Sequence, residues 1–256
     1  MKGAKVFIFV GVFICLLFGA KSSAQNTDWQ EIVSTWQKRK DFNQLIRVVR
    51  LCQEYIKNHP DDLTAKIYLA RACYWASLRG EELPSSKRIK LLELGMKVAK
   101  QVIEKSPRNL EAHYWLLYCA GERSIQKGIL RAGYPMYWGF RSTIIVSSQN
   151  VDYFYGGIYR YWGRAIYDAP SVLRWLCDFT INDALSLLNM ALESDPRYFR
   201  NHLYLAECYL KMKQTQKAIK ELEWIINTPP SILPEAEPEN AFFQKKAEKL
   251  LKRLKK

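Results

Sequence analysis

Arg160 and Arg164 stand four residues apart in the most aromatic stretch of the chain, Gly133–Tyr167. Tyr134, Tyr137, Trp138, Phe140, Tyr153, Phe154, Tyr155, Tyr159, Tyr161, Trp162 and Tyr167 crowd it, with Arg131 and Arg141 interleaved and Gly156-Gly157 in the middle. Rings offer apolar area and a guanidinium receives a carboxylate in a two-pronged grip, so this mixture suits a pocket for an anionic or hydrophobic small molecule. Four-residue spacing sets Arg160 and Arg164 on one helix face. The candidate ligand- or partner-binding set is therefore Trp138, Arg141, Tyr155, Gly156, Gly157, Arg160 and Arg164. The plainer alternative is that the rings pack wide helices together.

Other chemistry has little to stand on. His59, His113 and His202 are the three histidines, and no Cys/His/Asp spacing resembles a zinc site. There is no G-x-S-x-G, no glycine loop to cradle phosphate and no H-E-x-x-H. The expectation is a protein that is not an enzyme, with no catalytic residues, no cofactor and no metal.

The elements that must position these residues are helix pairs. Pro196 and Pro230 are 34 residues apart, the period of a tetratricopeptide (TPR) unit. Leu205, Ala206 and Tyr209 share one face of the first helix between them, and Ala218, Leu222 and Ile225 one face of the second. A leucine follows nine residues after Pro60, Pro107 and Pro196 (Leu69, Leu116, Leu205), each with an aromatic before it (Tyr68, Trp115, Tyr204). Such units bury their apolar faces only by stacking. The fold class expected is all-α: about five TPR-like helix pairs in a superhelix with a capping helix at the C-terminus. On such a scaffold the first helices line a concave face, where Arg71, Tyr74, Tyr118, Glu207 and Leu210 form an alternative partner-binding set.

Along the chain, helices are expected from Thr27 or Asp28 to about Lys40, from Asp41 to His59, from Asp61 or Asp62 to about Leu78, from Ser85 or Ser86 to Ser106, and over Asn109–Lys127. The next pair is Met136–Ser148 and Phe154–Tyr167. Ser171–Ile181 reads as an inserted short helix with Val172, Trp175, Leu176 and Phe179 inward, and Asp183–Ser194 completes the pair it interrupts. A final helix, Glu239–Lys256, turns Phe242, Phe243, Ala247, Leu250, Leu251 and Leu254 inward and lysines outward.

Residues 1–24 read as a secretory signal peptide: Lys2 and Lys5, the apolar run Val6–Phe18, then Ser22-Ser23-Ala24 before a cut at Gln25. The run is short for a membrane anchor, and Phe13 and Ile14 before Cys15 are too bulky for a lipidation site. The expected product is a single repeat domain, 25–256, exported to the periplasm. Formal charge is +14, or +11 without Lys2, Lys5 and Lys21. Export argues against nucleic acid and leaves acidic partners, an anionic ligand, or simply solvated helix backs. Beyond Cys15 five cysteines remain, an odd number with no C-x-x-C, which points to mostly buried thiols.

Asp152–Pro170, containing Tyr-Gly-Gly-Ile-Tyr-Arg-Tyr-Trp-Gly-Arg-Ala-Ile-Tyr-Asp-Ala-Pro, resembles the central segment of the T-component of tripartite ATP-independent periplasmic (TRAP) transporters. Ala184–Tyr209 and the stretch from Pro238 to Leu251 resemble the same family, the TatT-like proteins. The resemblance implies an all-helical periplasmic accessory that forms a homo-oligomer, a trimer around a pore. It also implies association with a solute-binding subunit, to which a small ligand is handed. The N-terminus departs from lipid-anchored members in lacking a lipobox. The alternative reading is a general exported TPR scaffold for other envelope proteins.

Overall fold

The computed structural model describes residues 29–128 and 133–255, and the side chains of these except 133–138 and 140. The signal-peptide reading and Trp138 lie outside what is described. Among the described residues the chain is helical throughout: α1 (29–37), α2 (Phe42–Asn58), α3 (Leu63–Arg79), α4 (Ser85–Lys105), α5 (Leu110–Lys127), α6 (Gly133–Gln149), α7 (Tyr153–Asp168), α8 (Ser171–Leu176), α9 (Ile181–Ser194), α10 (Phe199–Lys211), α11 (Thr215–Asn227) and α12 (Glu237–Leu254). Five antiparallel pairs stack in order, α1/α2, α3/α4, α5/α6, α7/α9 and α10/α11, as the repeat pattern requires. The pair of α3 and α4 carries its extra length mainly in the helices, 17 and 21 residues against 13 and 13 in α10 and α11.

The repeat chemistry is visible at each first-helix start. Two residues after Pro60 and Pro107, Asp62 and Asn109 accept the backbone N–H of Ala65 and Ala112 at 2.9 and 2.8 Å, filling donors a helix start leaves open. Tyr198, at the same place after Pro196, makes no side-chain cap. The equivalent donor, Asn201 N–H, goes to the Tyr198 carbonyl at 2.9 Å, and Phe199 N–H goes to Asn240 Oδ1 of α12 at 3.0 Å. His113 and His202, six residues after their prolines, place Nε2 3.0 and 2.8 Å from the carbonyls of Pro107 and Pro196.

Two features depart from plain repeats. First, α12 does more than cap the last pair. Phe243 packs edge-on to Trp75 of α3 and Tyr198 at 6.2 Å, and Glu239 forms a buried ion pair with Arg39 at 2.8 Å. Arg39 also donates to the Glu235 carbonyl at 2.7 Å. The last helix thus ties back to the turn after the first. Second, α8 faces the opposite way to expectation. Val172, Trp175 and Leu176, and Phe179 just beyond the helix, are exposed, Trp175 by 78%, because among the described residues no other element covers their side of this insertion. Cys52, Cys73, Cys119 and Cys208 are free and buried, while Cys177, just after α8, is exposed.

Candidate functional site

The site begins with an unusual turn. Phe154, Tyr155 and Gly156, at the start of α7, have φ of 55°, 62° and 72°, a left-handed turn that L-residues other than glycine adopt at a cost. Gly156 fits because a Cβ would lie 2.9 Å from the Ala191 backbone, and Gly157 because one would lie 2.5 Å from the Tyr114 ring. The two non-glycine residues are held from outside. Arg160, fully buried, donates Nη2 to the Phe154 carbonyl at 3.0 Å and Nη1 to that of Tyr155 at 2.8 Å. Asn201 of α10 donates to the carbonyls of Tyr155, Ala191 and Asp195 and accepts from Arg160 Nη1 at 2.8 Å.

Beside Arg160 sits a second buried guanidinium, Arg200. It donates Nη1 to Tyr74 Oη at 2.5 Å, and Nε and Nη2 to Tyr204 Oη at 2.9 and 2.6 Å. Its guanidinium also lies over the Tyr118 and Phe243 rings, at 5.6 and 5.3 Å. Among the described residues no carboxylate forms an ion pair with Arg160 or Arg200. Burial pushes Tyr74, Tyr114 and Tyr198 far above the ordinary phenol range, so they stay neutral and supply no phenolate to either cation. The Nε of Arg160 is buried with no hydrogen-bond partner.

Both arginines form the inner wall of a half-open cleft of about 260 Å³ between α3, α5, α7, α8 and α10. The rest of its lining is chiefly apolar, with Tyr161, Ile166, Leu173 and Phe179 on the walls and Ile125 at the rim. The acids on its walls are already engaged. Asp168 takes Arg164 at 2.7 Å, and Glu122 lies 3.8 Å from Arg88. Arg164 also pairs with Glu207, so it is partly exposed yet anchored from two sides. Arg174 of α8 donates to the Ala169 carbonyl at the outer edge.

The two sets of residues that the sequence suggested converge here. Arg160 and Arg164 line the cleft, and so do Tyr74 and Tyr118 from the concave-face set. Tyr118 is buried and donates to the Gly157 carbonyl at 2.7 Å, and Glu207 holds Arg164. Tyr155, Gly156 and Gly157 build the turn that carries Arg160 rather than the lining. Arg71 sits over the rings of Trp36, Trp115 and Phe154 at 4.5–5.6 Å, away from the cleft, and Leu210 is half-buried in the core. Arg141 lies exposed on α6, near His113 rather than in the cleft. Reasoning from sequence missed Arg200. Its one local signal is Tyr204 four residues on, the spacing that lets the ring hydroxyl meet the guanidinium.

Over 84% of this chain and 98% of the other, the structure is similar to a thermophilic TPR protein of Thermus thermophilus, with TM-score 0.58 and 16% identity. Two MamA structures, one of a mutant and one labelled MSR-1, align at 16% identity and TM-score 0.44. They cover 79% and 90% of this chain and 96% and 98% of their own. The model of the family Regulator of microtubule dynamics protein 1-3 matches residues 173–255, from α8 through α12. No curated protein matches the chain. The fold is a TPR-type helical-repeat superhelix, a scaffold that suits protein partners.

Proposed function

We propose that this chain is a non-enzymatic TPR-type accessory of the cell envelope that docks a protein through the outer face of α8, beside the mouth of the cleft. The observation that carries this reading is the apolar ridge of Val172, Trp175 and Leu176, on a helix face that no other element among the described residues covers. Clustered exposed apolar side chains of this size mark interaction surfaces. The first-helix surface is a poorer dock. Tyr74 and Tyr118 are buried there, and the Arg200 guanidinium lies over both rings.

In its finer form the partner is the solute-binding subunit of a TRAP-type transporter, and the cleft faces that subunit with a small ligand. Support comes from the resemblance over Asp152–Pro170, the segment that makes the left-handed turn, Arg160 and the lead into α8. A periplasmic location follows from reading residues 1–24 as a signal peptide. No helix among the described residues is long and apolar enough to cross a membrane.

The test is the affinity of the mature chain for the purified solute-binding subunit of a TRAP-type transporter from the same organism. Trp175→Ser combined with Leu176→Ser should weaken binding by about tenfold or more, or about 1.4 kcal/mol. Ile144→Ser, similarly exposed on α6, should not. Equal affinity of both variants and wild type would remove α8 as the dock.

A further inference from the structure

The geometry points to the cleft beneath α8 as a binding site for an amphiphilic carboxylate, a monoanion with an apolar tail, whose charge is received by Arg200, with the buried Arg160 behind it. This deepens the reading above and rests on the cleft being the ligand-facing part of the protein, although binding itself needs no partner.

Charge carries the argument. A buried cation is costly unless an anion accompanies it. Arg39 and Arg164 follow this rule, the first with Glu239 and the second with Asp168 and Glu207, while Arg71, away from the cleft, lies over three rings. Arg160 and Arg200 break it together, side by side on one cleft wall, with only neutral oxygens around them. A guanidinium carries five N–H groups. Arg200 spends its three described contacts on two tyrosine hydroxyls, and Arg160 keeps its Nε–H unpaired. A ligand oxygen at this wall therefore meets the Arg200 guanidinium, with the second charge, that of Arg160, buried behind it.

The remaining walls select the rest of the molecule. Tyr161, Ile166, Leu173 and Phe179 offer little that a second polar group could bond, and Asp168 and Glu122 repel further negative charge. A polyanion such as a nucleotide is disfavoured on both counts. A planar carboxylate on an aliphatic or aromatic body fits the fork of the guanidinium and the apolar walls alike.

The test is calorimetric titration of the mature chain with decanoate, with decanol (same tail, no charge), with decylamine (opposite charge) and with acetate (no tail). Decanoate should bind at least about tenfold more tightly than any of the other three. Leu173→Trp should abolish that binding by filling the cleft from the exposed α8, with the melting temperature held. Arg200→Gln, which keeps a donor but removes the charge, should bring decanoate down to the level of decanol. If Arg200→Gln does not fold, the comparison of Leu173→Trp with wild type still decides. Decanol binding as well as decanoate, or Leu173→Trp binding as wild type does, would overturn the assignment. These titrations use the chain alone. Failure here with intact capture of the solute-binding subunit rejects the ligand and leaves the docking reading, and the reverse outcome rejects the docking reading.

Discussion

Arg160 and Asn201 meet at 2.8 Å, 41 residues apart in sequence, and both close on the one carbonyl oxygen of Tyr155. This contact joins α7 to α10 and keeps two non-glycine residues in a left-handed conformation. It also fixes the guanidinium of Arg160 in the cleft wall, so the scaffold and the site are stabilised by the same bonds.

Asn201→Ala should therefore destabilise the fold by about 3 kcal/mol. It removes the side-chain donor of the Ala191 and Asp195 carbonyls, whose backbone bonds from the Asp195 and Tyr198 N–H groups are long at 3.4 Å, and the acceptor of Arg160 Nη1, and each such loss costs about 1–3 kcal/mol. The midpoint of urea unfolding measures this. A change of only a few tenths would show that the turn is held by other means.

Glu239→Ala should cost about 3–5 kcal/mol by stranding the buried Arg39 cation, whereas Glu237→Ala, which breaks the exposed pair with Lys40, should cost less than about 1 kcal/mol. Denaturant titration of the two variants side by side tests whether α12 is a brace back to the start of the superhelix. Equal costs would make it only a terminal cap.

Thiol reactivity should single out one cysteine. Burial pushes the Cys52 thiol up to about 12 and raises Cys73 and Cys119 as well, so these stay protonated and inaccessible. Cys177 is exposed at the edge of the cleft. In the native chain of residues 25–256 a maleimide should modify Cys177 first, and saturating decanoate should slow that reaction at least severalfold. Peptide mapping by mass spectrometry reads both results, and modification of Cys119 at the rate of Cys177 would contradict the packing.

Acid should weaken the fold partly through His113. Burial holds its imidazole below the ordinary 6.5, and Nε2 faces the Pro107 carbonyl, so the neutral ring carries its proton there and accepts from Ser142 at Nδ1. The unfolded chain then binds a proton first as pH falls. The contribution of His113 is full above about pH 6.5 and is lost as pH falls through the lower, folded value. Between about pH 7.5 and 5 the melting temperature of wild type should drop more than that of His113→Gln. Identical slopes would remove His113 as the cause.

Much of the architecture is legible in the residues. The prolines, the capping Asp62 and Asn109 and the leucine nine residues after each proline specify where helix pairs begin and how they stack. Gly156-Gly157 signals a backbone that side chains would obstruct, yet the positive φ of Phe154 and Tyr155 has no local mark, because its supports lie on the far side of α7 and on α10. The orientation of α8 is unreadable for a different reason. A six-residue amphipathic helix has the same pattern whether its apolar face meets a core or a partner, and only the neighbours decide. Arg200 escapes because an arginine on a first helix ordinarily reaches solvent, and here it turns inward to Tyr74, 126 residues earlier.

The most direct test of the account is hydrogen–deuterium exchange of residues 25–256 with and without the proposed partner, the solute-binding subunit of a TRAP-type transporter. Protection should concentrate in α8 and in the end of α5 around Ile125, the two elements at the mouth of the cleft. Protection confined to α6, or to the backs of α9 and α11 with none in α8, would contradict it.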